Sequence, residues 1–307
     1  MTPARRRKYL RLKKRGRRSF LKPLIYIGLA LILIAFFFFN TKLWKLNQKL
    51  GLVINSPDGN VVVMSIDKQN EDITIIEIPA TTQLDVARQL GSWRAKSIWT
   101  LGENEKLGGA LLRETIVKNF HFPVLGWADA DAIGFTGGDA LGILKAIILP
   151  YKTNLTLADK IRIGFFSLGV ATGDRNHILL GEGRFLKKEK LKDGEEGYVV
   201  QGKIPKELLL VFSQPQIAQK GLKVNIKDAS GELSVSTEVG ETIEVMGAKV
   251  AAVSRLPRAA SDCTVKGSQE DFRKILAYVF GCDIGKGTAE GNFDIEIEIG
   301  EKFARRF

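Results

Sequence analysis

Residues 23–39, PLIYIGLALILIAFFFF, run for seventeen positions without a charge, directly after the basic block RRRKYLRLKKRGRR at residues 5–18. At about 1.5 Å of rise per residue such a helix reaches roughly 25 Å, close to a bilayer core once its flanks snorkel. A secretory signal peptide and a buried core helix are the competing readings. No small-x-small cleavage site follows the run, which ends in four phenylalanines and NTKLWK. A stretch apolar all round beside a dense basic block also argues against a core helix. The segment 23–40 is therefore expected to be an uncleaved single-pass anchor. The positive-inside rule places residues 1–22 in the cytoplasm and the chain from 42 onward outside, and the basic block also attracts anionic membrane lipid.

The formal net charge of +12 invites a nucleic-acid reading, but residues 1–22 hold eleven Lys or Arg and no acid, so the remainder is close to neutral. The surplus belongs to the tail, and no nucleic-acid partner is expected. Cys263 and Cys282 are the only cysteines, both in the part assigned to the outside, where a disulfide persists. Closing a loop of that size stabilises by roughly 3 kcal/mol in the chain-entropy model. Two buried thiols are the other reading. His121 and His177, the only histidines, have no ligand-like spacing to the cysteines or to each other, so no metal site is assigned.

Along the rest of the chain the pattern is α/β. Residues 41–57 look like a short amphipathic stalk ending at the turn of Pro57, Asp58 and Gly59. NVVVMSID, the polar KQNED and ITIIEIP then spell a hairpin buried on both faces. Helical spacing follows at 105–120, at 137–150 and at 155–169, so residues 58–220 form a mixed α/β domain. From 221 to 307 the order βαββαβ is that of a small split-βαβ sandwich. Its second helix is expected to be capped by Ser268 with Asp271, and its last strand, FDIEIEIG, to be half exposed.

Motifs that carry chemistry are sparse. GSWRAKSIW, residues 91–99, mixes Arg94 and Lys96 with Trp93 and Trp99, which suits a sugar or phosphate surface, or the amphipathic edge of a core. GFTGGDALG at 134–142 is a turn with a helix cap or an anion site, and matches no P-loop or dinucleotide fingerprint. Asp129 and Asp131 share a face if extended, as a solvated edge or a cation pair. No nucleophile is marked by local sequence.

With anchor, stalk and hairpin assembled, the chain resembles the LytR-CpsA-Psr family of membrane-anchored cell-envelope proteins. VVVMSIDKQNEDITIIEIP fits that family's opening hairpin, GGALLRETIVKNF its Gly-Gly and following helix, and VFSQPQIAQKGLKVNIKDAS the junction into a LytR-type C-terminal domain. The resemblance implies transfer of a glycopolymer from a polyprenyl-pyrophosphate carrier to the cell wall. Acids and arginines there hold a metal, Mg²⁺ if the chain is active, and the pyrophosphate. This chain departs where that chemistry sits: the family's Arg-Asp after the proline is Ala80-Thr81, and its Asp-Thr before the first hairpin strand is Gly59-Asn60. No catalytic residue carries over. Trp93, Arg94, Arg88 and Arg113 are the candidate ligand-binding residues, with Asp58 a further displaced charge. The expectation is a cell-envelope protein that binds a polyprenyl-linked or glycan partner without catalysis. An active phosphotransferase and a protein-interaction module are the alternatives. Binding alone predicts an apolar cleft beside Pro79 without converging arginines; transfer predicts at least two arginines and an acid there.

Overall fold

The two apolar runs expected to pair do so. Strands β2 (Val61–Asp67) and β3 (Asp72–Ile78) form an antiparallel hairpin with Val61 opposite Ile78. All seven residues of β2 are buried, as a central strand covered on both faces requires. The computed structural model describes residues 48–191, 194–202 and 205–307, with 23, 25–29 and 43. Among the described residues no helix is long and apolar enough to cross a membrane. Most of the anchor expected at 23–40 lies outside them.

The stalk expected at 41–57 needs correction over its last part. Residues 50–55 are a strand, β1 (Leu50–Asn55), antiparallel to β2 and parallel to β6 (Val124–Ala128). LGLVIN is short, but it is apolar enough to fill the place beside β2, and Leu50, Leu52, Val53 and Ile54 are fully buried. Lys49, just before it, is fixed by three groups. Its ammonium meets Asp67 at 2.9 Å, its N–H donates to Gln214 Oε1 at 2.9 Å, and its carbonyl accepts from Gln214 Nε2 at 3.2 Å. With β7 (Arg175–Leu179) added beside β3, the first sheet has the order β6-β1-β2-β3-β7.

A second sheet was not expected. Residues 79–81 lead from β3 into β4 (Thr82–Asp85), which pairs with β5 (Ser92–Arg94) and β9 (Glu196–Val200), the latter flanked by β8 (Leu186–Lys190). Helices α1 (Ala95–Asn104), α2 (Gly109–Phe120), α3 (Ala140–Ile148) and α4 (Leu157–Gly169) complete this part. Asp139 caps α3 by accepting from Gly142 N at 2.7 Å, and Thr156 with Asp159 makes a capping box on α4. The glycine-rich stretch at 134–142 thus supplies its own cap.

The C-terminal part contains β10 (Lys223–Ala229), α5 (Leu233–Val245), β11 (Lys249–Arg255), β12 (Cys263–Gly267), α6 (Glu270–Phe280), β13 (Asp283–Ile284), β14 (Ile295–Gly300) and α7 (Glu301–Arg306). The expected βαββαβ order is present with two additions, the short β13 and the closing α7, but the pairing is not a split βαβ. In the sheet order β11-β10-β14-β12-β13, β10 and β11 are direct parallel neighbours joined by α5, with no strand between. β14 is central and buried, not half exposed: Glu296 is shielded by Lys227 at 3.1 Å and Lys266 at 3.8 Å. Ser268 does not cap α6. Its N–H is bonded to Asp294 O at 3.2 Å, the helix starts after Gln269, and no side chain caps it.

Cys263 and Cys282 are joined in a disulfide with Cα atoms 4.8 Å apart, tying β12 to the end of α6 across 19 positions. Replacing both cysteines by alanine is expected to lower unfolding free energy by roughly 3 kcal/mol, read as a shift of the urea midpoint at constant slope.

Candidate functional site

The corner at residues 79–81 is where the resembled family would place its charges. Here it is built around Asn60, which precedes β2. Asn60 Oδ1 accepts from Ala80 N at 2.8 Å, and Asn60 Nδ2 donates to Glu77 Oε1 at 2.6 Å and Asp58 Oδ2 at 2.8 Å. The opposite amide orientation would set an NH₂ against the Ala80 N–H, donor against donor, so the network fixes this one. Thr82 N closes the turn on Pro79 O at 2.9 Å, Lys96 N donates to Ala80 O at 3.2 Å, and Tyr198 N to Thr81 O at 3.4 Å. The loop is a sheet-to-sheet corner whose backbone groups are committed to structure.

The corner also constrains the strand that passes it. A Cβ on Gly197 would lie 2.6 Å from Thr81 O and 2.4 Å from Leu191 Cδ1, so β9 passes the corner only because glycine is there. A hydrogen bond from Ser56 first, then those from Asn60, hold the Asp58 carboxyl below its ordinary range against the opposing effect of burial. A divalent cation does not fit this donor set as it stands, because the Asn60 NH₂ group occupies the space between the two carboxylates and donates to both. Among the described residues no three of His, Cys, Asp and Glu gather into a metal-ligand cluster.

The four residues expected to bind ligand do not come together. Arg94, on β5 opposite Gln83, pairs with Glu195 at 2.8 Å. Trp93 is its neighbour, 44% exposed, with Nε1 donating to Leu90 O at 2.9 Å. These two stay near the corner through β4. Arg88 and Arg113 do not. Arg88 makes two bonds to Glu114, at 2.7 Å and 3.0 Å, and its N–H reaches Arg306 O at 3.1 Å. Arg113 is buried and donates to Tyr278 O at 2.9 Å. Burial pulls the Arg113 guanidinium below its ordinary value, with Glu114 opposing, while Arg88 is raised by its bonds to Glu114. Both arginines hold the C-terminal part against α2. His121 adds to the same junction, 2.9 Å from Glu241, with burial pushing its pKa down.

Open space lies elsewhere. A cavity of about 400 Å³ between the β6 edge and α6 is lined by Leu43, Leu125, Ile275, Ala277, Tyr278 and Ile284, with Gln48 and Lys274 at its polar side. A second recess of about 150 Å³ shares Gln48 and Ile275 with it and is polar, with Gln214, Gln216, Lys220 and Gln269. No local pattern signals this pair of spaces, because their walls come from Leu43, Gln48, Leu125 and the stretches 214–222 and 269–284. Asn60 and Glu77 were more legible: the first follows an Asp-Gly turn, and the second is the one charged residue of ITIIEI.

Asn60→Asp would set a third carboxylate against Asp58 and Glu77. It is expected to cost about 2 kcal/mol at pH 7. The new carboxyl would titrate above its unfolded value of about 4, so the penalty is full at neutral pH and fades as pH falls through that range. Paired urea titrations of variant and parent at both pH values measure it.

No family model matches the chain, and no curated protein matches it in sequence. Among solved structures, TagT of B. subtilis overlaps 52% of this chain and 88% of its own at 12% identity, with a TM-score of 0.38. TagV of B. subtilis overlaps 51% and 92% at 9% identity and a TM-score of 0.37. A LytR-CPS2A-psr family protein, YwtF (TagT) with bound octaprenyl pyrophosphate lipid, overlaps 52% and 87% at 11% identity and 0.37. So loose a likeness carries no inference about activity or ligand.

Proposed function

We propose that this chain is a single-pass cell-envelope protein, N-terminus inside and bulk outside, that binds a polyprenyl-linked glycan and does not transfer it. The observation that carries the reading is the state of the Pro79 corner. Phosphoryl transfer from a pyrophosphate needs cationic forks and a divalent ion to take up developing charge. Here Arg88 and Arg113 serve the junction with the C-terminal part, Arg94 is paired with Glu195, and the Asn60 amide takes the place between the two acids. Beside the corner stands the exposed Lys96, a single ammonium in place of the paired forks and metal that transfer requires.

The cleft expected beside Pro79 is replaced in this reading by the paired cavities at α6. Their division suits an amphiphile: an apolar space of ordinary ligand size beside a recess whose amides, Lys220, Glu270 and Asp271 can hydrogen-bond a sugar. At about 400 Å³ the apolar space takes a few isoprene units and leaves the remainder of a polyprenyl chain in the bilayer.

Thermal unfolding of the full chain in detergent, with a polyprenyl pyrophosphate analogue, tests this. A ligand of the folded state stabilises it by about 2.7 kcal/mol at a hundredfold excess over Kd. The midpoint is expected to rise equally with and without Mg²⁺, and Ala277→Phe, which fills the cavity, to abolish the rise. A rise that requires Mg²⁺ would restore the transferase reading, and no rise in the parent overturns ligand binding.

A further inference from the structure

The residues most out of place are six large apolar side chains on α3 and α4. Leu141, Leu144 and Ile148 of α3 and Leu157, Phe165 and Leu168 of α4 are between 49% and 67% exposed. Their spacing makes one stripe on each helix, i, i+3, i+7 on α3 and i, i+8, i+11 on α4, with half-buried Ile161 between. The helices themselves are tightly packed: a Cβ on Gly164 would lie 2.5 Å from Ile147 Cδ1 and 3.2 Å from Ile143 Cγ2. Two outward apolar stripes therefore flank one close seam, a patch larger than scattered surface hydrophobics produce.

The composition of the face narrows the occupant. Within the two helices Asp159 is fully buried and Lys160 is buried over the Tyr151 ring at 3.5 Å, while Lys145 is exposed within the α3 stripe and the capping Asp139 is exposed at its start. A broad apolar face with an exposed lysine in it is suited to a lipid surface.

Position narrows it further. Leu43 is buried, and its N–H donates to Asp159 Oδ1, in the first turn of α4, at 3.3 Å. The expected span ends at residue 40. Three peptide steps reach at most about 10 Å, so the N-terminal end of α4 is held that close to the bilayer surface. We infer that the outward face of α3 and α4 lies in the headgroup region of the outer leaflet, as a second, monotopic contact beside the anchor. The inference rests on the anchor in the proposed function but not on its ligand.

The test uses the full chain reconstituted in vesicles of phosphatidylcholine and phosphatidylglycerol. Both native cysteines are in the disulfide, so Leu144→Cys, Phe165→Cys and Lys187→Cys, on β8, each accept one environment-sensitive label. Spin-labelled lipids are expected to quench the labels at 144 and 165 roughly twofold and to leave the label at 187 unchanged, as a face 5–10 Å deep requires. Flotation after alkaline carbonate treatment reports the anchor separately. A chain that floats with all three labels unquenched overturns the inference and leaves the anchor intact. Blue-shifted but unquenched labels mean that a protein covers the face, which overturns it too. A chain that does not float removes the anchor and the inference with it.

Discussion

The Asn60 side chain is the fastening on which the N-terminal half depends. The chain must leave one sheet after Ile78 and enter another at Thr82, and three residues are all it has for the change. Backbone groups in so short a corner need partners, and one amide satisfies Ala80 while bridging Glu77 and Asp58. A side chain with both donor and acceptor is required, which neither an aspartate nor an alanine provides. The backbone of β9 passes against the Thr81 carbonyl, where Gly197 leaves the room it needs.

The cations that might have served the corner have been taken up by the junction with the C-terminal part. Arg113 places a buried guanidinium on the Tyr278 carbonyl, next to Glu114, which in turn holds Arg88 by two bonds. Removing Glu114 would leave a buried charge without its counter-charge, so the set stands or falls together. Arg306 binds on the other side of the same region, to Asp262 and to the Phe280 carbonyl. Arginine suits these places because its planar fork satisfies several acceptors at once.

How much of this was legible depended on whether neighbours in sequence were neighbours in space. The β2–β3 hairpin, α3, α4 and α6 announce themselves through local patterns and are where those patterns put them. β1 is hidden because a short apolar run after a lysine resembles an amphipathic link. The second sheet is hidden because LKKEK and EGYVV lack alternation, their partners being one another and a strand more than a hundred residues earlier. FDIEIEIG misleads for an electrostatic reason: alternation says half exposed, but Lys227 and Lys266 allow Glu296 to be buried. Arg88 and Arg113 were recognisable as unusual charges, while their partners Tyr278 and Arg306 lie far along the chain.

The pairing of β4 with β9 also has a kinetic consequence. Thr82 meets Tyr198 across 116 positions, whereas the β2–β3 hairpin closes over the four residues 68–71. Closing long loops is slow, so the hairpin forms well before the corner beside it is locked. During synthesis the Asn60 fastening can close with the hairpin, while β4 must wait for its β9 partner until most of the second sheet has left the ribosome.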